Sequence, residues 1–357
     1  MDQISLFTLA PAVATTSATP APAPTQAPPA RNQPSEIINH PSAPPTLRVC
    51  VLGSGSGGNS TVAHLPATAG LTTPRRSILL DAGFGPRTTA RRLAQARVSL
   101  DDIHAICLTH LDRDHFRPSW IPVLLRDRID LHLHRWHLPE LACLPAADRL
   151  LDAGLVHTFD EGPFHPLPHV VAHPFRCQHD RQGTIAYRLE VGRDAKAPPF
   201  QVGLQDRDGT PPGRTLALGY ATDLGHVPPG LVRHLAGVDV LAIEANYDHW
   251  MTVTSSRPTF VNRRNLSDSG HLSNEQALAA VRAIDALSPH ANPRHVLLMH
   301  RSSQCNHPTK LRRVFDAEPT LARRVRLTEQ RRRTGWVTVR PLPAMRGRQM
   351  TLAAPPR

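Results

Sequence analysis

A chain of 357 residues that is 40% hydrophobic but only 4% aromatic can bury one aliphatic core of catalytic size, and no apolar run reaches the roughly 18 to 20 residues of a membrane span. The five cysteines, Cys50, Cys107, Cys143, Cys177 and Cys305, are odd in number, widely spaced and free of any Cys-x-x-Cys pair. That pattern argues against a disulfide framework or a zinc ribbon and for a reducing, cytoplasmic setting. The net charge of +12 is concentrated in Arg312 to Arg357, where twelve arginines stand against Asp316, Glu318 and Glu329. Such a segment reads either as a phosphate-tracking surface for nucleic acid or as solvated tail.

The chain divides into three parts. Residues 1–46 are rich in Pro, Ala, Thr and Ser without hydrophobic period, which predicts disorder. No Lys or Arg precedes Ile4 to Leu9, so a secretory signal is disfavoured. A catalytic-sized domain is expected over 47–310 and an Arg-rich extension over 311–357, with strand-like alternation at Gly335 to Arg340 suggesting that part of the extension folds onto the core.

Within the domain, Arg48 to Leu52 predicts a strand, followed by Gly53-Ser-Gly-Ser-Gly-Gly-Asn-Ser60. That run lacks the ending of a P-loop and the helix of a dinucleotide fingerprint, so it reads as a tight loop beside a site. Arg76 to Asp81 is a strand closing on an Asp, and Thr88 to Val98 has helical spacing. An apolar run at His104 to Thr109 then ends in His110, Asp112, Asp114 and His115, a mixed nitrogen and oxygen set suited to zinc, manganese or iron. A helix is expected over Ser119 to Arg126. The alternation at Ile129 to His134 predicts a strand whose His132 and His134 face solvent at an edge, and His165, His169 and His173 receive the same reading.

Strand ends continue to deliver polar residues. His179 follows Val170 to Cys177, Asp223 ends Thr215 to Thr222, Glu244 ends Val238 to Ala245, and His300 ends His295 to Met299. Residues 194–214 read as an exposed insertion. Ser273 is an expected N-cap for a helix running through Ala277 to Leu287. Polar groups this costly to bury are normally paired or metal-bound, so the endings are expected to converge.

Taken together, Asp81, His110, Asp112, Asp114, His115, His179, Asp223 and His300 resemble the metal-site series of the metallo-β-lactamase fold. Gly53 to Ser60, Gly270 to Asn274 and His300 to Asn306 are similar to three spaced motifs of its YycJ-like, or WalJ-like, branch. The resemblance implies an α/β four-layer αββα sandwich over Leu47 to about Pro308, two mixed sheets with helices on both outer faces. It implies two divalent ions, zinc or manganese with iron possible, one on His110, Asp112 and His179, the other on Asp114, His115 and His300, with Asp223 between them. The family usually has His in place of Asp112; a carboxylate there makes the site harder and shifts preference toward manganese or iron.

The activity implied is hydrolysis by a hydroxide shared between the ions, in a phosphodiesterase or exonuclease acting on DNA or RNA. Asp114 would orient the water. Glu244 and His271 resemble the pair that assists proton transfer in the related tRNase Z proteins, against the alternative that His271 makes only a structural hydrogen bond. Arg257, Arg263 and Arg264 would neutralise substrate phosphates or decorate a loop, and Asn59 and Asn306 would brace loops. Two other readings stay open: hydrolysis of a small ester, thioester, lactone or cyclic phosphate, and a non-catalytic nucleic-acid binder with a degenerate metal site.

Overall fold

The computed structural model describes residues 46–66, 75–179, 182–192, 215–288 and 292–341, all within one unit, Ser42–Arg357. The expected N-terminal tail up to residue 45, Asp180, the expected insertion at 194–214 and the end of the Arg-rich segment beyond 341 lie outside the described residues.

Fourteen strands form among the described residues: β1 (Leu47–Gly53), β2 (Ser60–His64), β3 (Ser77–Leu80), β4 (Ile103–Cys107), β5 (Asp130–His134), β6 (Val156–Phe159), β7 (Phe164–Leu167), β8 (Val170–Cys177), β9 (Thr184–Val191), β10 (Leu216–Ala221), β11 (Val240–Glu244), β12 (His295–Met299), β13 (Val325–Leu327) and β14 (Val337–Val339). They build two seven-stranded sheets, ordered β14-β1-β2-β3-β4-β5-β6 and β13-β12-β11-β10-β9-β8-β7. In the first, β1 pairs antiparallel with β14 and β2, whereas β3 to β6 run parallel. The second repeats the plan: β7 to β10 alternate, and β10 to β13 run parallel.

The two sheets bury an apolar layer between them, including Val49, Leu80, Tyr187, Leu218, Tyr220 and Val337. Opposite side chains of the same strands pack outward on helices, as the period of two requires. On the first sheet, Cys50, Leu79, Ile106 and Leu131 cluster with Leu93, Trp120 and Leu124 from helices and turns between 86 and 127. On the second, Leu241, Ile243 and Leu298 meet Leu231, Val281, Leu311 and Phe315. This is the αββα sandwich.

Two local readings are corrected. His132 and His134 are buried, because β5 lies between β4 and β6 rather than at an edge. His132 stacks on His157 at 4.9 Å and on Phe164 at 5.1 Å, so its ring is core, and burial pushes its pKa down to about 4. The helix expected to reach Val98 spans Pro86–Gln95, and Arg97 leaves it with a φ of 59°. No helix among the described residues is long and apolar enough to cross a membrane.

Candidate metal centre

The parallel halves of both sheets point their carboxyl ends at one place, the usual location of ligands in α/β sheets. β3 delivers Asp81, β4 leads into Thr109 to His115, β10 delivers Asp223, β11 ends on Glu244 and β12 delivers His300. The turn between β8 and β9 adds His179. Asp81, Asp223 and His300 each leave their strand with a left-handed backbone, φ of 61°, 57° and 52°. For residues with a Cβ that conformation is uncommon and costs on the order of 1–3 kcal/mol. Here it swings each side chain off the strand axis toward the others.

Sterics at glycine keep the loops close. A Cβ on Gly83 would run into the carbonyl of Asp114, and one on Gly270 into the carbonyls of Arg264 and Asn265. Gly83 thus lets the Asp81 turn lie against the ligand loop, where Ala82 N donates to His115 O at 2.7 Å. Gly270 does the same beneath His271 and His179.

Four imidazoles converge, each tied by one nitrogen. Nδ1 of His110 is 2.9 Å from Thr109 Oγ1, Nδ1 of His115 is 2.8 Å from Asp81 Oδ2, Nδ1 of His179 is 3.0 Å from Gly270 O and Nδ1 of His300 is 3.1 Å from Glu244 Oε1. Nε2 of each ring faces the carboxylates, that of His115 with Asn59 Nδ2 also 3.0 Å away. His110 Nε2 is 3.7 Å from Asp112 Oδ2, His115 Nε2 is 2.9 Å from Asp223 Oδ2, His179 Nε2 is 3.9 Å from Asp223 Oδ1 and His300 Nε2 is 3.2 Å from Asp114 Oδ2. Ligand atoms of His110, Asp112 and His179 lie within 4.8 Å of one another, as do those of Asp114, His115 and His300, and those of His110, His115 and Asp223.

The donor set fits divalent cations. His110 Nε2 is buried without a hydrogen-bond partner, and Asp223 Oδ2, equally buried, has only the His115 ring 2.9 Å away. Orphaned buried polar atoms of this kind are rare and costly, and metal-ligating histidines almost always have their other nitrogen anchored. Asp112 is the outlying member, with its side chain half exposed.

The electrostatics of the cluster divide its rings into two kinds. Burial opposes a cation at His115, but Asp223 and Asp81 outweigh it and hold the ring well above the usual imidazole range. The same contest at His300, with Asp223, Asp114 and Glu244 prevailing over burial, raises its pKa to about 10. Burial would raise Asp223, yet His300 and His115 hold it well below the carboxylate range. His110 goes the other way: burial and then the neighbouring His115 push it well down, so its Nε2 is an available lone pair. The carboxylates favour positive charge at their centre, which divalent cations would supply.

Beside the cluster, His271 Nδ1 is 2.8 Å from the buried Glu244 Oε1, and Glu244 Oε2 accepts from Leu224 N at 2.6 Å. A cleft of about 510 Å³ opens over His110, Asp112 and His179, and Arg264 lines its mouth with His137 and Glu140. Of the other two expected arginines, Arg263 is exposed on the same helix, Thr259–Asn265, and Arg257 donates to Cys305 Sγ at 3.5 Å. Asn59 Nδ2 lies 3.0 Å from His115 Nε2 and 3.3 Å from Asp114 O, and Asn306 is bonded to Asn274 and to Asn246 O.

Several supporting residues escaped the reading of the sequence. Thr109 donates from N and Oγ1 to Asp81 Oδ1, both at 2.9 Å, and touches His110 and His115. Its place between strand and His110 was the available signal. Tyr220, whose hydroxyl donates to Asp81 Oδ2 at 3.0 Å, sits mid-strand on the other sheet and had none. Ser54, which accepts from His300 N at 2.8 Å, is 246 positions distant.

A family model described as the beta-lactamase superfamily domain matches residues 76–301. The chain is 26% identical over 267 residues to the exodeoxyribonuclease YycJ of Bacillus anthracis, across 73% of this chain and 84% of the relative. It is 27% identical over 238 residues to the exodeoxyribonuclease WalJ of Streptococcus pneumoniae serotype 2, across 66% of this chain and 76% of that protein. Among solved structures, the metallo-β-lactamase fold protein YhfI from Bacillus subtilis is similar with a TM-score of 0.53 at 13% identity, covering 83% of this chain and 100% of that one.

Proposed function

This chain belongs to the beta-lactamase superfamily, and from that membership and the geometry of the cluster we propose that it is a metal-dependent phosphodiesterase acting as an exonuclease on DNA or RNA. The observation that carries the proposal is the convergence of four anchored imidazoles, Nε2 inward, on Asp112, Asp114 and Asp223. The polynucleotide substrate is supported by the relatives, both of which are named exodeoxyribonucleases.

His110, Asp112 and His179 would hold one divalent cation, Asp114, His115 and His300 a second, and Asp223 would serve both. Zinc and manganese suit the set, and the carboxylate of Asp112 favours manganese or iron more than a third imidazole would. Such a pair of ions supplies Lewis-acid charge at phosphoryl oxygens and water of lowered pKa. The remaining work belongs to the chain. Asp114 orients the attacking water through its carboxylate. Glu244 accepts from His271 Nδ1 and so favours the imidazolium, whose Nε2 proton would pass to the leaving oxygen. Arg264 at the cleft mouth, with Arg263 and Arg257 along the same segment, offsets the charge of flanking phosphates.

The test is hydrolysis of bis(p-nitrophenyl) phosphate by metal-stripped protein reloaded separately with zinc and manganese, followed by end-labelled DNA and RNA. Turnover is expected with at least one metal. Asp223→Ala is expected to lower it by more than about 100-fold, beyond what loss of a ligand's hydrogen-bond support causes. Folded protein that is inert with both metals would sink the reading.

A further inference from the structure

The glycine-rich loop has two sides. Asn59, at its end, meets Asp114 and His115. Ser56 and Gly57 line a separate cavity of about 670 Å³, whose far wall is Arg301, next to His300 in sequence, together with Glu329, Gln330 and Arg331. The loop is stitched to that wall: Ser54 N donates to Glu329 O at 3.1 Å and Gly57 N to Gln330 Oε1 at 3.0 Å.

Three guanidinium groups, Arg92, Arg301 and Arg331, line this cavity against one carboxylate, Glu329. Arg92 is already committed, donating through Nη1 to Leu52 O at 2.9 Å and lying 4.0 Å over the Phe84 ring. Arg301 is different. Its Nε is buried with no hydrogen-bond partner among the described residues, and the residue lines the cavity. Neither Arg301 nor Arg331 is used by the metal cluster. A tetrahedral oxyanion is what paired guanidinium groups recognise best.

We propose that this cavity is a phosphate subsite, which holds a backbone phosphate of the nucleic-acid strand adjacent to the bond being cut. The proposal rests on the phosphodiesterase reading. One loop separates the cavity from the ligands, so a strand laid across the loop would put one phosphate over the metal cluster and a neighbouring one against Arg301 and Arg331. The surplus of positive charge in the wall, after Glu329 is counted, matches a phosphodiester anion.

The experiment is fluorescence anisotropy of a single-stranded phosphorothioate oligonucleotide without terminal phosphates, bound to the metal-loaded full chain over a range of salt. Each phosphate contact on a single strand contributes about 0.7 to the slope of log K against log salt. Arg301→Gln and Arg331→Gln are each expected to flatten the slope by about that amount and weaken binding about tenfold, with Arg301→Lys restoring the slope. Arg331 is exposed, so its replacement leaves the core intact. Unchanged slope and affinity in both glutamine variants would overturn the subsite. Cleavage of unmodified DNA or RNA by the wild-type chain reads the phosphodiesterase separately: cleavage with unaltered slopes removes the subsite alone, and Arg331-dependent binding without cleavage removes the activity and keeps the subsite.

Discussion

Asp81, Asp223 and His300 show at residue scale how a strained backbone is put to use. Each takes a left-handed φ that its side chain disfavours, and two of the three are held by several contacts: Asp81 by Thr109 and Tyr220, His300 by Ser54, Asn246 and Glu244. The same carboxylates set a pH dependence. In metal-stripped protein the His300 pKa is raised to about 10 from an unfolded value near 6.5. A raised folded pKa means stability that is fully present below about pH 6.5 and lost as pH climbs through about 10. Thermal melts in chelator are therefore expected to fall across that window, and a His300→Asn variant should flatten the fall. Metal affinity should rise over the same range, because the cation displaces that proton. A melting temperature of the stripped protein that climbs from pH 7 to 10 would contradict the account.

Elements matter through where they stop. The helix Asn274–Leu287 begins with a full capping box, Ser273 accepting from Gln276 N at 3.1 Å while Gln276 Oε1 accepts from Ser273 N at 2.8 Å. This cap is two residues from His271, and Tyr247 bridges to Ser273, so the helix start holds the general-acid candidate in register with β11. Ser273→Ala is expected to cost about 1 kcal/mol, read by denaturant unfolding, and to lower turnover through loosened placement of His271. A loss of stability near zero would show the cap to be redundant. The cap, the strand alternations and the abrupt ligand-bearing loop after β4 were legible in sequence because each depends on neighbours within a few positions. The burial of His132 and His134 was not, since the same alternation suits an edge and a central strand, and only the pairing of β5 with β4 and β6 decides between them.

On the scale of the molecule, the segment after the last ligand closes both sheets. β13 pairs with β12 and β14 with β1, and Val337 and Val339 enter the layer between the sheets. A chain ended before Arg324 would bare the β12 and β1 edges and open the inter-sheet core. We expect it to aggregate when expressed, measured as the soluble fraction; soluble, cooperatively melting truncated protein would refute that. Sequence by itself determined most of the strands and their polar endings, because side-chain period and loop chemistry are local properties; the short strands Ser60–His64, Val156–Phe159, Phe164–Leu167 and Val325–Leu327 carried too little period to be read. The αββα layering was reached through motif resemblance rather than periodicity. Tertiary structure alone decided that Thr109 and Tyr220 share Asp81, that Ser54 holds His300, and that Arg301 faces a cavity with Arg331 across the glycine loop. Those contacts join residues far apart in the chain, and their distances are set by how two sheets pack, which no local pattern encodes.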